Sequence, residues 1–539
     1  MKNQKELRST LFRHLDGIAT APVAFALQKK GVLRALTDRR TASLSDLTNE
    51  FKANEGYLNV ALRVLASQGW LLQHIDNTKD EISYKITDRG RIAFEWVHLY
   101  EDAVALIEYS GRFHPRRFEK EPFVKWLEVV EQFENDFGIE LSSDALVRSV
   151  QEQILKHIEG VLAGPTIVLL GMGGMFHKYF MESSFGPEEF HRDPESFRKI
   201  LDFFTRLGWF SRKKDKYQYT EEGMFFARRG SAYGVTVSYL PTFRKLDELI
   251  FGNPRILWDH PHDAPELQVD REMNVWGSGG AHSNYFKVID EIIIGLFDRP
   301  IEEQPKGILD MGCGNGAFLQ HLFEVVERRT LRGRMLEQHP LFLVGADFNQ
   351  AALKVTRANL IKADIWAKVI WGDIGRPDLL AKDLHENYGI DLKDLLNVRT
   401  FLDHNRIWED PMTVDRISTS TGAFAFRGDR ISNNAVEENL LRHLQKWKPY
   451  VERFGLLVME LHTLPPAIAA ANLGNTAATA YDATHGFSDQ YIVEVDVFQR
   501  IAAEAGLHSD QKVFKRFPDS DLATVTINLL KGSKISNDG

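Results

Sequence analysis

The stretch Gly307-Ile-Leu-Asp310-Met-Gly312-Cys-Gly314-Asn-Gly316-Ala-Phe-Leu319 constrains this chain more than any other. A short apolar strand runs into three glycines at alternate positions and then into a helix. Glycines so spaced let the backbone turn tightly and leave bare main chain against a bulky ligand, while the first turn of the helix presents unpaired N–H groups. Asp310 closes the strand just before the first glycine. A carboxylate there suits an ammonium group and repels a pyrophosphate. Gly316 follows Gly314 by two residues, which departs from dinucleotide spacing.

Two further apolar strands end in acids. Residues 341–347 finish at Asp347, where a carboxylate can accept both hydroxyls of a ribose, and residues 367–374 finish in Gly372-Asp373-Ile374. An acid-x-Gly-x-Gly-x-Gly turn followed by two such strands resembles the cofactor loop of class I S-adenosylmethionine (SAM) methyltransferases. The resemblance implies an α/β fold whose C-terminal half is a doubly wound seven-stranded sheet with an antiparallel last strand. It also implies SAM as cofactor, with Asp310, Gly312, Gly314 and Gly316 at the methionine end, Asp347 and Phe348 at the ribose, Asp373 and Ile374 at the adenine, and Arg399 as a further contact. His282 and Tyr285, just ahead of the first strand, are candidates for the methionine end. One departure is a longer link from Gly316 to Asp347, through the basic run Arg328–Arg334.

The N-terminal half carries a second signal, an internal repeat. His14, Gly17, Pro22 and Gly31 recur 143 residues on as His157, Gly160, Pro165 and Gly174. Gly69-Trp70 recurs as Gly208-Trp209, and Thr87-x-x-Gly90 as Thr220-x-x-Gly223. Each copy reads as helices followed by a hairpin, which predicts two tandem winged-helix-like units over 1–110 and 111–265 ahead of a methyltransferase domain over 266–539. A winged helix invites a DNA-binding reading, yet the helix Leu58–Ala66 offers one cation, Arg63, and a net charge of −9 opposes wholesale binding to phosphates. No nucleic-acid partner is therefore expected. In small-molecule methyltransferases the resembling domain dimerises and covers the substrate, so a homodimer is the expectation here.

No membrane association is expected either. The apolar run 160–176 is short for a span and broken by Pro165 and glycines, so it is expected as a buried helix. The opening residues are polar and carry no apolar leader, which makes the cytoplasm the expected compartment. Cys313, in the glycine turn, is the single cysteine, so neither a disulfide nor a thiolate metal cluster forms within one chain. Pro254, Pro261 and Pro265 mark a linker; a loop through Trp276-Gly-Ser-Gly-Gly-Ala-His282 and a helix over 285–297 follow.

In an open α/β sheet ligands lie beyond the carboxyl ends of the strands. Strand four, 394–404, runs out through Arg399-Thr-Phe-Leu-Asp403-His404-Asn405-Arg406, and strand five, 454–462, into Glu460-Leu-His462. Tyr481-Asp-Ala-Thr-His485-Gly-Phe-Ser-Asp489-Gln490-Tyr491 comes after them. Plain methyl transfer needs placement and at most one base, so this set is more than sufficient. Histidines with an amide oxygen also suit divalent iron or manganese, which would stabilise an enolate. The stretches 399–406 and 485–491 resemble the metal-dependent C-methyltransferases of apratoxin- and saxitoxin-type polyketide synthase loading modules. That resemblance implies His462, His485 and Gln490 as ligands of Fe or Mn, with Asp403 and His404 as acid–base groups or alternative ligands. It further implies C-methylation of a malonyl-type substrate, small or carried on an acyl carrier protein, with Arg399 and Arg406 near its carboxylate or phosphate. The alternatives are O-methylation by a histidine base, a SAM-sensing DNA-binding regulator, and a scaffold that binds cofactor without turnover.

Overall fold

The computed structural model describes residues 3–110, 119–259 and 266–532, without the side chains of residues 280–284. The chain forms two compact units. One comprises Met1–Ser283 with Ala423–Ile431 and Pro465–Asp489; the other comprises Asn284–Gly422, Ser432–Leu464 and Gln490–Gly539.

The repeat explains the first unit. The helix Gln4–Lys30 begins with an Asn3–Glu6 capping box and stops at Gly31, which takes a left-handed conformation (φ 87°). Its counterpart, Ala145–Met172, is capped by Asp144. The two cross so closely that a Cβ added to Gly17 would lie 2.3 Å from His157 Cα, and one added to Gly160 would lie 2.5 Å from the His14 carbonyl. Each His-x-x-Gly is thus half of a reciprocal notch. The histidines are fixed alike, His14 Nδ1 at 2.7 Å from the Tyr233 hydroxyl and His157 Nδ1 at 2.7 Å from that of Tyr100. The helix Ala145–Met172 is long and apolar enough to cross a membrane by composition alone, but 72% of its apolar window is buried in the protein.

The Gly-Trp and Thr-x-x-Gly pairs have an equally local cause. Thr87 and Thr220 cap the helices Asp88–Trp96 and Glu221–Arg228. A Cβ on Gly90 or Gly223 would meet the Trp70 or Trp209 carbonyl at 2.0 or 1.9 Å. The first hairpin is joined by Thr41–Ser43 into three strands, whereas the second, Phe210–Lys213 with Lys216–Tyr219, has only a single bridge from Phe185 to Tyr217.

The expected loop at 276–282 is instead part of a helix, Arg271–Phe297. Gly277 serves contact there: a Cβ on it would stand 2.7 Å from the backbone of Gly234, in the helix Ser231–Ser238. The side chain of His282 lies outside the described residues.

In the second unit, β1 (Gly307–Met311), β2 (Phe342–Asp347), β3 (Lys368–Trp371), β4 (Leu395–Thr400) and β5 (Leu456–Leu461) are parallel, in the order β3-β2-β1-β4-β5. All residues of β1 and β5 are buried, as expected of strands covered on both faces. β6 (His508–Ser509), β7 (Lys515–Phe517) and β8 (Val525–Lys531) complete the sheet. β8 runs antiparallel to β5, and both β6 and β7 pair with β8. The two-residue β6 is an addition ahead of the last hairpin, giving eight strands where seven were expected. The strand order reverses between β1 and β4, and that switch point opens the crevice. The basic insertion is structural: buried Arg332 donates to Gln304 Oε1 (2.8 Å) and the Pro305 carbonyl (3.0 Å).

Gly17→Ala and Gly160→Ala should each lower stability by about 1–3 kcal/mol or more, because the obstructing atoms are backbone. Gly295→Ala, a helical site with nothing within 4 Å of the added Cβ, should be neutral or stabilising by about 0.5–1 kcal/mol. Thermal unfolding of the three variants checks the order.

Candidate active site

The three glycines of the turn take positive φ, 79° at Gly312, 55° at Gly314 and 80° at Gly316, values at which a side chain is strained. The neighbouring strand pins the turn, since the Gly312 and Cys313 amides donate to the Ala346 carbonyl at 2.7 and 3.1 Å. Thr356 donates to the Gly314 carbonyl (2.8 Å) and Asn359 to that of Asn315 (2.9 Å), so a helix outside the turn closes its far side. Asp347 Oδ2 accepts from the Gly314 amide (3.0 Å) and Oδ1 from that of Asn349 (2.8 Å). The acid that ends β2 is thereby fixed against the turn.

Asp310 is different. It is buried, and its Oδ1 has no hydrogen-bond partner among the described groups. Burial, and then the negative charge of Asp347, push its carboxyl up to about 7. A carboxylate left in this state is completed by a cation that brings its own N–H donors, and the ammonium of a methionine moiety is such a group. Further along the crevice, Phe348 and Trp371 stand half-exposed with ring centroids 5.7 Å apart. Asp373 Oδ1 takes the Gly375 amide (2.7 Å), and Trp447 Nε1 holds the Ile374 carbonyl (2.7 Å). Tyr285 packs edge-on against Phe517 at 4.8 Å. These residues fit an adenosyl group with an amino-acid tail.

At the ends of β4 and β5 the side chains are charged and buried. The one-turn helix Asp403–Asn405 brings His404 Nδ1 to Glu460 Oε1 at 2.5 Å, and the Tyr491 amide donates to the His404 carbonyl at 2.8 Å. Arg399 stacks on Trp447 (4.0 Å) and donates from Nη1 to Asp403 Oδ1 (2.5 Å). His443 Nε2 reaches the same oxygen at 2.8 Å. Burial works against charge on Asp403, but Arg399 and His443 outweigh it and hold the carboxyl well below its ordinary range. Arg406, lowered to about 10 by burial, donates to Asn439 Oδ1 (2.6 Å) and the Asp403 carbonyl (2.9 Å). It spends its donors inside the protein. Neither His443 nor Trp447 carried a sequence signal: both sit on the long helix Asn433–Val451, and their partners are remote in sequence.

The three expected metal ligands do not share one unit. His485 belongs to the first unit, where its Nδ1 lies 2.8 Å from the Tyr481 carbonyl; His462 and Gln490 belong to the second. His462 is fully buried between the Thr526 hydroxyl (Nε2, 2.7 Å) and the Val493 carbonyl (Nδ1, 3.1 Å), and burial pulls its pKa down to about 4. Both its nitrogens are engaged, so as arranged it does not fit an ion. Among the described residues no three His, Cys, Asp or Glu side chains gather as metal ligands would.

A doubly wound sheet of this order, with acid-ended strands around a glycine turn, defines the class I methyltransferase fold. Residues 266–528 match the family model for the AprA MT2-like domain, 159–253 the AprA winged helix domain, and 7–73 the AprA N-terminal domain. The chain is a SAM-dependent methyltransferase that resembles AprA along these three stretches. Solved structures give weaker likenesses. The mitomycin 7-O-methyltransferase MmcR is 10% identical, with 71% of this chain and 98% of that one covered and a TM-score of 0.41. An O-methyltransferase family 2 protein from Planctomyces limnophilus in complex with apigenin is 11% identical (97% and 96% covered, TM-score 0.38), and LepI in complex with SAM is 12% identical (79% and 96%, TM-score 0.37). Likeness at this level says nothing of what this chain acts on. No curated protein matches the sequence.

The Asp310 carboxyl sets a pH dependence. Its folded pKa is raised, so in the free protein it is protonated below about 7, and a cationic ligand draws it into the ionised form. Binding of S-adenosylhomocysteine should release a proton near pH 6 and weaken as pH falls below 7. Calorimetry in buffers of different ionisation enthalpy measures both. Asp310→Asn should abolish the proton release and weaken binding by about 2–3 kcal/mol, roughly 30–150-fold. The same variant should stabilise the free protein at pH 8, where ionisation of the buried carboxyl opposes folding.

Proposed function

We propose that this chain methylates an acidic carbon beside a carbonyl, in a malonyl-type substrate that is small or carrier-bound, with His404 as the base. The observation that carries this reading is the buried His404–Glu460 pair beyond the neighbouring strands β4 and β5, at the edge of the sheet where the glycine turn lies. A carboxylate against Nδ1 favours the tautomer with the proton on Nδ1 and the lone pair on Nε2. His404 Nε2 takes the proton from carbon, the resulting enolate carbon attacks the sulfonium methyl in line, and the carbon–sulfur bond breaks with its electrons on sulfur. The products are methylated substrate and S-adenosylhomocysteine. The held geometry of donor and acceptor lowers the barrier together with the base.

Carbon as the acceptor is supported by the resemblance of residues 399–406 and 485–491 to C-methyltransferases. O-methylation is the second reading, since the same base would deprotonate a hydroxyl. A divalent ion on His462, His485 and Gln490 would require His462 to give up Thr526 or Val493, and no step above passes through one. The DNA-regulator reading loses support from the helix Glu55–Ser67, which is buried along nearly its whole length and whose Arg63 pairs with Asp482 at 2.9 Å.

Turnover with methyl-labelled SAM and malonyl-type thioesters, followed by carbon NMR, distinguishes a carbon-bound methyl from a methoxy group. His404→Ala should lower kcat by roughly 10²–10⁴-fold, and an unchanged kcat would remove His404 from the mechanism. Stoichiometric iron or manganese that disappears in His462→Ala would transfer the proposal to the metal-assisted reading.

A further inference from the structure

We propose that His443, together with Arg399, is a positioning residue that fixes the turn carrying His404 by clamping the Asp403 carboxylate. The proposal rests on the reading of His404 as the base. Beyond β4 the chain turns through Phe401 at φ 54°, a left-handed conformation for a non-glycine residue, with its amide bonded to the Met459 carbonyl at 2.7 Å. Such a conformation is strained and persists where the surroundings over-determine it. The surroundings here are charged. Asp403 Oδ1 accepts from Arg399 Nη1 (2.5 Å) and His443 Nε2 (2.8 Å), and the Asp403 carbonyl accepts from Arg406 Nη1 (2.9 Å). The residue next to the base is therefore held through both its side chain and its backbone.

The chemistry of the clamp assigns the tautomer. An ionised carboxylate only accepts, so His443 donates through Nε2–H. Burial lowers the His443 pKa, which favours the neutral ring. Because His443 comes from the helix Asn433–Val451 and Arg399 from β4, the two bonds tie the turn to two separate elements. Asp403 Oδ2 and Arg399 Nε and Nη2 are buried with no partner among the described groups, so one carboxylate oxygen carries both bonds. A displacement of the base by ~1 Å is enough to cost on the order of 10²-fold in rate.

The test compares His443→Phe, His443→Gln and Asp403→Asn by kcat, acceptor KM, and S-adenosylhomocysteine affinity measured by calorimetry. His443→Phe and Asp403→Asn should lower kcat about 10–100-fold, while cofactor affinity stays within about twofold. His443→Gln, whose amide nitrogen donates from nearly the same place, should recover kcat to within about threefold of the parent. The proposal is overturned if His443→Phe keeps kcat per folded molecule, if His443→Gln is as impaired as His443→Phe, or if cofactor affinity falls in step with kcat. Should His443→Phe not fold, His443→Gln and Asp403→Asn decide by the same criteria. A normal His443→Phe beside an impaired His404→Ala sinks the clamp alone; an unimpaired His404→Ala sinks the base and the clamp together.

Discussion

A carboxylate buried at the end of a parallel strand, with no partner for its Oδ1 among the described groups, is the constraint on which the second unit turns. Asp310 sits where β1 gives way to the glycine turn, and Asp347 supplies a second negative charge from the next strand. Two acids so placed raise the free energy of the empty protein and lower it for the protein holding a positively charged amino-acid tail. The turn beside that charge is itself pinned, its Gly312 and Cys313 amides to the Ala346 carbonyl and its Gly314 amide to Asp347. SAM carries an ammonium and an adenosyl group at opposite ends, and acids lie at the ends of β1 and β2 and just beyond β3.

The first unit depends on a different kind of constraint, the closeness of two helices. Gly17 and Gly160 remove the side chains that would hold the helices apart, and His14 and His157 then become buried polar groups that need partners. Tyr233 and Tyr100 supply them in equivalent places. The repeat is therefore preserved where backbone meets backbone. Where the copies make looser contacts it has drifted, as in the hairpins, three-stranded in one copy and two-stranded in the other.

Around His404 the structure is built from buried charges. His404, Glu460, Asp403, Arg399, Arg406 and His443 are all buried, and their bonds run from strand ends to the helix Asn433–Val451. In a low-dielectric interior such bonds are strong and directional. Sequence reading assigned Asp403 and Arg406 to chemistry. In the structure Asp403 receives two buried cationic or polar donors, and Arg406 spends its donors on Asn439 and the turn, so both are occupied in holding the backbone.

The amino-acid sequence by itself determined the features that are written locally. The acid-ended strands, the glycine turn, the paired His-x-x-Gly and the threonine caps each depend on residues a few positions apart, where period and backbone preference act directly. The glycines at 277–280 were misread as a loop because a glycine in a helix differs from one in a turn only by what packs against it, here Gly234. Seven strands were expected and eight are present, because local pattern does not show a two-residue strand such as β6. Only the tertiary structure decided which polar side chains face one another. His443 with Asp403 and His462 with Thr526 are separated by 40 and 64 residues, and at such distances partnership is set by the packing of whole elements, which no nearby residue records.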